Sequence, residues 1–215
     1  MKLPGWLSIF KDYVIGVSIT MVIFYYIAAF FAGQSQVEHL SHGVNWLIYP
    51  LLQGLQFSAS LYVIITGVRL LLGEIVNAFV GISEKIIPNA KPALDVPVVF
   101  PYAPTATVIG FISAYAAGLL MMFVFAAFHM PVIIPVAVPY FFIGATAGVF
   151  GNATGGWKGC IIGSFVVGIL IAVGPSLVYP VLSSIGLKGT AFPETDFNAV
   201  ALIIKYVGQL FQSIF

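Results

Sequence analysis

The sequence predicts an all-α integral membrane protein with several spanning helices. Of its 215 residues, 60% are hydrophobic and 7% are charged, and the mean hydropathy is +1.08. A soluble globular domain carries about 25% charged residues, so an ordinary cytosolic fold and a disordered chain are excluded. Eight basic and seven acidic residues leave a net charge of +1, which excludes a nucleic-acid binder because no surplus of positive charge is available for phosphates. The partner that the composition predicts is the lipid bilayer.

Long gaps between the charged residues locate the first two spans, because a bilayer core requires about 20 apolar residues per helix. Residues 13–32 form the first gap and predict a retained membrane helix, since no small-residue cleavage site of a secretory signal follows it. Residues 46–67 form the second. Several polar side chains within it predict that one face turns toward protein: Gln53, Gln56, Ser58 and Ser60.

The segment after the second span has a different pattern. Its apolar positions recur at helical spacing against charged ones: Ile75, Phe79, Ile82 and Ile86. This pattern predicts an amphipathic helix over residues 73–92 that lies along the membrane surface.

Residues 96–157 contain no charged side chain, and they are too many for a single crossing. Prolines 97, 101 and 104 interrupt the first part and predict irregular backbone with unpaired carbonyls. A continuous helix is predicted over 105–128. Further spans are predicted over 159–178, kinked or ended near Pro175 and Pro180, and over 198–215, the last with Lys205 in its interior. The proline- and glycine-rich residues 131–157 fit either a crossing or a re-entrant hairpin. In total the pattern predicts five to six spanning helices together with re-entrant hairpin segments.

Positive charge gives the predicted orientation. If each long gap crosses once, six cations share one side, which the positive-inside rule makes cytoplasmic: Lys2, Lys11, Arg69, Lys85, Lys91 and Lys158. A re-entrant hairpin over 131–157 would reverse the assignments that follow it.

Asp95 is the first candidate functional residue. It opens the uncharged stretch within a proline-rich segment that also carries Tyr102 and Thr105. Ionisable residues within membranes are costly and indicate function by default. Alternatively, Asp95 caps a helix near the headgroups by accepting a backbone hydrogen bond. The residues alone leave both interpretations open.

The glycine-rich stretch 144–159 is the second candidate region. Gly144 and Gly148 have the four-residue spacing that allows helices to approach closely. Residues 151–156 are harder to explain by packing, and they predict a loop whose amides, with the side chains of Asn152 and Thr154, face a ligand. A phosphate-binding loop is excluded because Trp157 separates Gly156 from Lys158.

No catalytic centre or cofactor site is predicted. His39 and His42 lack further metal ligands at suitable spacing and indicate a solvated loop. Cys160 has no neighbouring base and is interpreted as a small packing residue.

Motifs spread along the chain carry a resemblance to a known family. They are Lys2-Leu3-Pro4-Gly5-Trp6-Leu7, Gly67-Val68-Arg69, Gly73-Glu74 with Gly81-Ile82-Ser83, Ile87-Pro88-Asn89-Ala90, the block from Ala93-Leu94-Asp95 to Ala106, and Gly144 to Trp157. Together they resemble the ascorbate-specific membrane component IIC of the bacterial phosphoenolpyruvate-dependent phosphotransferase system.

The resemblance implies a multi-pass permease of the bacterial plasma membrane that takes up L-ascorbate or a related sugar acid. Partner proteins IIB and IIA carry the phosphoryl group in that family, so this chain is expected to be a transport subunit and not an enzyme. The family fold has two inverted repeats that form a core domain and a dimerising domain. By this resemblance residues 1–72 dimerise, 93–215 form the core transport part, and Asp95 contacts the substrate. Tyr102, Thr105 and Asn152 are the next candidate contacts, as neutral hydrogen-bonding groups.

The matching motifs correspond to the second half of a family member. The resemblance therefore implies half of a binding site, a homodimer, and a first-half partner chain. The alternatives are an inactive fragment, or a membrane scaffold or assembly subunit that binds no sugar and uses its glycines for helix contacts.

Overall fold

The computed structural model describes residues 11–91 and 96–212, and these residues form helices without any strand. The α-helices are α1 (Tyr13–Ala32), α2 (Gln34–Leu40), α3 (Ile48–Lys85), α4 (Pro104–Ala127), α5 (Ala137–Ser184) and α6 (Thr195–Gln212). A 3-10 helix covers Val96–Tyr102. Four of them, α1, α3, α4 and α5, are long and apolar enough to cross a membrane. The predicted class, an all-α polytopic membrane protein, is confirmed.

Contacts divide the chain into two compact units, Met1–Val108 and Ile109–Phe215. In the first unit α1 packs along α3. Helix α1 begins where Asp12 accepts hydrogen bonds from the amides of Val14 and Ile15 at 2.8 and 3.3 Å, as an N-cap does. A side chain at Gly54 would lie within 2.7 Å of the Val22 backbone, so this glycine allows the two helices to touch.

Helix α3 is longer than the sequence indicates. It begins at Ile48 and continues without a break to Lys85. It therefore includes most of residues 73–92, which the sequence pattern predicts as an amphipathic helix of their own. The expectation of a separate helix over 73–92 is therefore wrong, because no breaker stops the helix between the apolar gap and the amphipathic stretch. Its position at the membrane surface stays a prediction.

In the second unit α5 consists of two antiparallel arms, residues 137–155 and 157–184. The chain reverses at Gly156, whose φ of 60° and ψ of −151° are non-helical. Ser164 on the second arm donates to the Gly144 carbonyl at 3.1 Å, and Tyr140 on the first arm donates to the Gly168 carbonyl at 3.2 Å. These bonds between arms show a helical hairpin.

Glycines bring α4 and the hairpin together. A side chain at Gly110 would collide with the backbone of Gly144 and Gly148, and one at Gly168 would collide with the backbone of Ala114. Ser113 adds a hydrogen bond to the Ile161 carbonyl at 2.8 Å. The predicted packing role of Gly144 and Gly148 is confirmed.

Two boundaries near the C-terminus differ from expectation. The second arm does not end near Val178 but runs through Pro175 and Pro180 to Ser184, because packing in a membrane protein tolerates prolines within helices. The predicted last span corresponds to α6, which is not among the helices apolar enough to cross a membrane. Asn198 anchors α6, donating to the carbonyls of Phe192 and Glu194 at 2.9 and 2.6 Å while 1% exposed.

Candidate functional site

The proline-rich segment forms a defined structure where it is described. Residues 96–102 adopt a 3-10 helix and Pro104 begins α4, a position where proline is favoured because the missing N–H would have no partner. The expectation of irregular backbone is wrong for these residues, since the tighter helix accommodates the prolines. Asp95, the leading candidate, lies outside the described residues, and its substrate contact stays a prediction.

Tyr102 and Thr105 stand on either side of the start of α4. Tyr102 ends the 3-10 helix with 83% of its surface exposed, and Thr105 is half-buried in the first turn of α4. Behind them Thr107 donates its hydroxyl to the Ala103 carbonyl at 3.1 Å. The two candidates therefore lie three residues apart at one junction, with a phenol accessible from outside.

Phe100 fixes the 3-10 helix to the rest of the first unit. Its side chain is fully buried, and its ring meets that of Tyr13 edge-on with centroids 6.3 Å apart. The Tyr13 hydroxyl in turn accepts a hydrogen bond from Arg69 Nη2 at 3.0 Å. Thus α1 and α3 hold the segment on which Tyr102 and Thr105 lie. Sequence reasoning missed this arrangement, although Arg69, the only arginine in the sequence, was a signal.

Asn152 belongs to the second unit and lies in the last helical turns before Gly156, where it is half-buried. The loop predicted for residues 151–156 is not observed, because the first arm remains helical up to Gly155. Gly151 is explained by packing, since a side chain there would collide with the backbone of Gly159 on the opposite arm. Thr154 donates its hydroxyl to the Phe150 carbonyl of its own helix at 3.1 Å.

The turn of the hairpin is exposed. Trp157 is 57% exposed, and the Lys158 ammonium lies 5.7 Å from the centre of its ring. Tryptophan and lysine are typical of membrane–water interfaces. The turn, with Asn152 close to it, thus carries the residue types expected at such an interface.

A cavity of about 280 Å³ lies within the second unit. It is bounded by residues 132–136, which connect α4 to α5, by Pro175 and Tyr179 of the second arm, and by the segment that precedes α6. Most of its walls are apolar. Of the candidate contacts that the structure describes, Tyr102, Thr105 and Asn152 do not line it.

No group of three or more His, Cys, Asp or Glu side chains comes together among residues 11–91 and 96–212. Cys160 is fully buried, in keeping with its interpretation as a packing residue. The described candidates Tyr102, Thr105 and Asn152 thus offer neutral hydrogen-bonding groups, held on helices.

Comparison with known proteins identifies the family. Residues 1–196 match the family EIIC-GAT, described as the PTS system sugar-specific permease component. The chain is also 30% identical over 202 residues to the "Ascorbate-specific PTS system EIIC component" of Mycoplasma pneumoniae. That match covers 79% of this chain and 30% of the relative, so the chain spans about a third of the relative's length. This chain belongs to the membrane-embedded sugar-specific permease components of the phosphotransferase system.

Proposed function

We propose that this chain is part of a permease that takes up L-ascorbate and delivers it for phosphorylation. The observation that carries the proposal is the match over residues 1–196 to a family of sugar-specific permeases. Ascorbate is the substrate class because the matched relative is named as ascorbate-specific. The chain itself transports and does not catalyse. The IIB and IIA partner proteins relay the phosphoryl group.

The substrate site in this proposal lies at the segment from Asp95 to Thr105. Ascorbate is an anion rich in hydroxyl groups, so the Asp95 carboxylate accepts hydrogen bonds from hydroxyls and stays away from the enolate. Amides at the N-termini of broken helices would suit the enolate, because a helix N-terminus carries partial positive charge. Tyr102 supports this location because its phenol is 83% exposed. Thr105 and Asn152 are proposed as further neutral hydrogen-bonding groups.

The proposal assigns the remaining partners by resemblance. The chain supplies the second inverted half of the permease, and a first-half partner chain supplies the rest of the binding site. The first spanning helices make a homodimer, which the outward-facing Phe30 and Phe31, 75% and 83% exposed, support. Lys85, Lys91 and Lys158 form the cytoplasmic face that meets IIB. Transport follows by alternating access of the core against the dimerising part.

Uptake of labelled ascorbate in cells that lack their own ascorbate permease tests the proposal. The chain is expressed alone and together with the first half of a full-length family member, with IIA and IIB present and phosphoenolpyruvate as phosphoryl donor. We expect uptake that requires both halves and both partners. Absence of uptake under every condition, with both halves detected in the membrane, would contradict the proposal and favour the membrane scaffold.

A further inference from the structure

We propose that the cavity of the second unit binds a phospholipid whose headgroup carries both a phosphate and an ammonium group. One acyl chain of the lipid occupies the cavity, and the headgroup lies against the charged ends of the segment that precedes α6. This inference does not depend on which substrate the permease carries. It rests on the walls of the cavity, on its position along the hairpin, and on the charges beside it.

The walls of the cavity fit a hydrocarbon chain. The described residues that line it carry no charged side chain, and the polar side chains among them are those of Tyr140 and Tyr179. The Tyr140 hydroxyl already donates to the Gly168 carbonyl at 3.2 Å. Sites that enclose a whole small ligand measure about 300–1,000 Å³, whereas this cavity measures about 280 Å³. It therefore suits an apolar part of a larger molecule.

Hydrogen bonds hold the walls in place. The Ser176 hydroxyl of the second arm donates to the Pro131 carbonyl at 2.9 Å, at the start of the segment that connects α4 to α5. The Asn198 amide donates to the carbonyls of Phe192 and Glu194 at 2.9 and 2.6 Å, and so fixes the segment before α6. Because both segments are held, the cavity is preformed, and preformed sites bind with a smaller entropic cost.

The cavity lies about one bilayer thickness from the turn of the hairpin. The first arm covers residues 137–155, which at 1.5 Å per residue extend for about 28 Å, and a hydrocarbon core is about 30 Å thick. Tyr140 and residues 132–136, at the start of this arm, line the cavity. With the turn at one membrane surface, the cavity lies near the other. Tyr179 is of a residue type enriched at that level, where headgroups meet acyl chains.

Two opposite charges flank the part of the wall that precedes α6. The lining residues of this segment begin at Gly189 and end at Pro193. Lys188 directly precedes them and is exposed, and Glu194 directly follows them and is half-buried. A lysine ammonium binds phosphate as a point charge, and a carboxylate accepts hydrogen bonds from an ammonium. A headgroup with both groups complements both charges, whereas a purely anionic headgroup is repelled by Glu194.

The ordinary alternative is that water fills the cavity. Pro175 has no N–H, so the Ile171 carbonyl four residues earlier loses its usual helical donor, and both residues line the cavity. Ordered water satisfies such carbonyls in membrane proteins. A cluster of water molecules, however, needs several polar partners for each molecule, and it has no use for the two flanking charges. The two occupants therefore separate experimentally.

Photo-crosslinking in vesicles tests the assignment and requires no transport. The full chain is reconstituted in phosphatidylglycerol vesicles with a trace of phosphatidylethanolamine, or of phosphatidylglycerol, that carries a diazirine on one acyl chain. Mass spectrometry locates the label. Residues 132–136 and 189–193 report on the cavity, and Ile162 and Leu170, 63% and 52% exposed, report on ordinary lipid contact. We expect the phosphatidylethanolamine probe to label the cavity more strongly than the phosphatidylglycerol probe, and both probes to label the reference residues equally.

Ala172→Trp should fill the cavity, because Ala172 lines it and is 4% exposed. Leu177→Trp is the matched control, since Leu177 lies on the same arm, is 44% exposed and does not line the cavity. We expect Ala172→Trp to remove the label from the cavity alone and Leu177→Trp to change nothing. Cavity labelling that equals the reference labelling and persists in Ala172→Trp would overturn the proposal.

Exposed charges give a second test that remains decisive if Ala172→Trp fails to fold. Lys188→Gln should lower cavity labelling by both probes about five-fold relative to the reference residues, because both headgroups carry a phosphate. Glu194→Gln should reduce the preference for the phosphatidylethanolamine probe by up to about five-fold. Glu74→Gln, an exposed acidic control on α3, should preserve that preference. Equal cavity labelling by the two probes, unchanged in Lys188→Gln and Glu194→Gln, would overturn the assignment of the lipid.

Discussion

Arg69 and Tyr13 form a hydrogen bond of 3.0 Å that joins α3 to α1. The same tyrosine ring packs edge-on against Phe100, so one side chain connects two helices with the 3-10 helix. The first unit is thereby cross-linked at the segment where Tyr102 and Thr105 lie.

Replacement of Tyr13 should separate the contributions of its ring and its hydroxyl. Tyr13→Phe removes a hydrogen bond and should cost about 1 kcal/mol, a fall in Tm of about 2–4 °C for a protein of this size. Tyr13→Ala also removes the buried ring, which costs about 3–5 kcal/mol in cores. Thermal unfolding of each purified variant in detergent measures its loss of stability. Equal losses in Tyr13→Phe and Tyr13→Ala would contradict the contact between the Tyr13 ring and Phe100.

Gly156 should be the glycine on which the hairpin depends. Its φ of 60° with ψ of −151° lies in a region that is nearly exclusive to glycine, and a side chain there costs about 1–3 kcal/mol. Gly155→Ala is the matched control, because Gly155 has no neighbour within 4 Å and an ordinary φ. We expect Gly156→Ala to lower Tm and Gly155→Ala to leave it unchanged. Similar effects in both variants would mean that the chain does not reverse at Gly156.

Gly168→Ala should weaken the contact between α4 and the hairpin. The added methyl group would collide with the backbone of Ala114, and overpacking of this kind costs about 1–3 kcal/mol. Gly163→Ala on the same arm is the control, since its nearest neighbour would be 4.0 Å away. Yield of monodisperse protein and Tm are the measurements, and a Gly168→Ala protein as stable as the control would contradict the close approach.

Asn198→Ala should loosen the junction between α6 and the segment before it. The amide donates to two carbonyls, Phe192 and Glu194, and leaving buried acceptors without partners costs about 1–3 kcal/mol each. Gln209→Ala on the exposed side of α6 is expected to have no effect. Protease sensitivity of residues 185–194, followed by mass spectrometry, measures the loosening. Equal digestion of both variants would show that Asn198 is not the anchor.

The sequence was sufficient for much of the fold. Prolines within the uncharged stretch located α4 within a residue of its ends. A charge gap located both ends of α1, because a membrane helix is defined by its uncharged length. The same rule failed for α3, since it detects the end of an apolar run and not the end of a helix. At Pro175 and Pro180 the sequence left a kink or a helix end open, and the helix continues because packing with neighbouring helices overrides local preference.

The candidate site was less predictable than the fold. The spacing of Gly144 and Gly148 indicated close packing, but nothing local to Gly151 showed that it lies against Gly159 of the returning arm. Likewise, the contact of Arg69 with Tyr13 joins residues 56 positions apart, and no short motif encodes it. Contacts between residues distant in sequence determine which polar groups already have a hydrogen-bond partner. Sequence patterns therefore suggest candidates for ligand contacts without ranking them.

The most direct test of the central claim, that the segment from Asp95 to Thr105 binds ascorbate, is equilibrium binding. Membranes that contain the permease complemented by its first half are titrated with radiolabelled L-ascorbate, for the unmodified chain, for Asp95→Asn and for Glu74→Gln, an exposed acidic control. The account predicts saturable binding that Asp95→Asn weakens at least about 10-fold, as expected for a lost hydrogen bond to a charged group, and that Glu74→Gln leaves unchanged. Equal affinity in all three would contradict it.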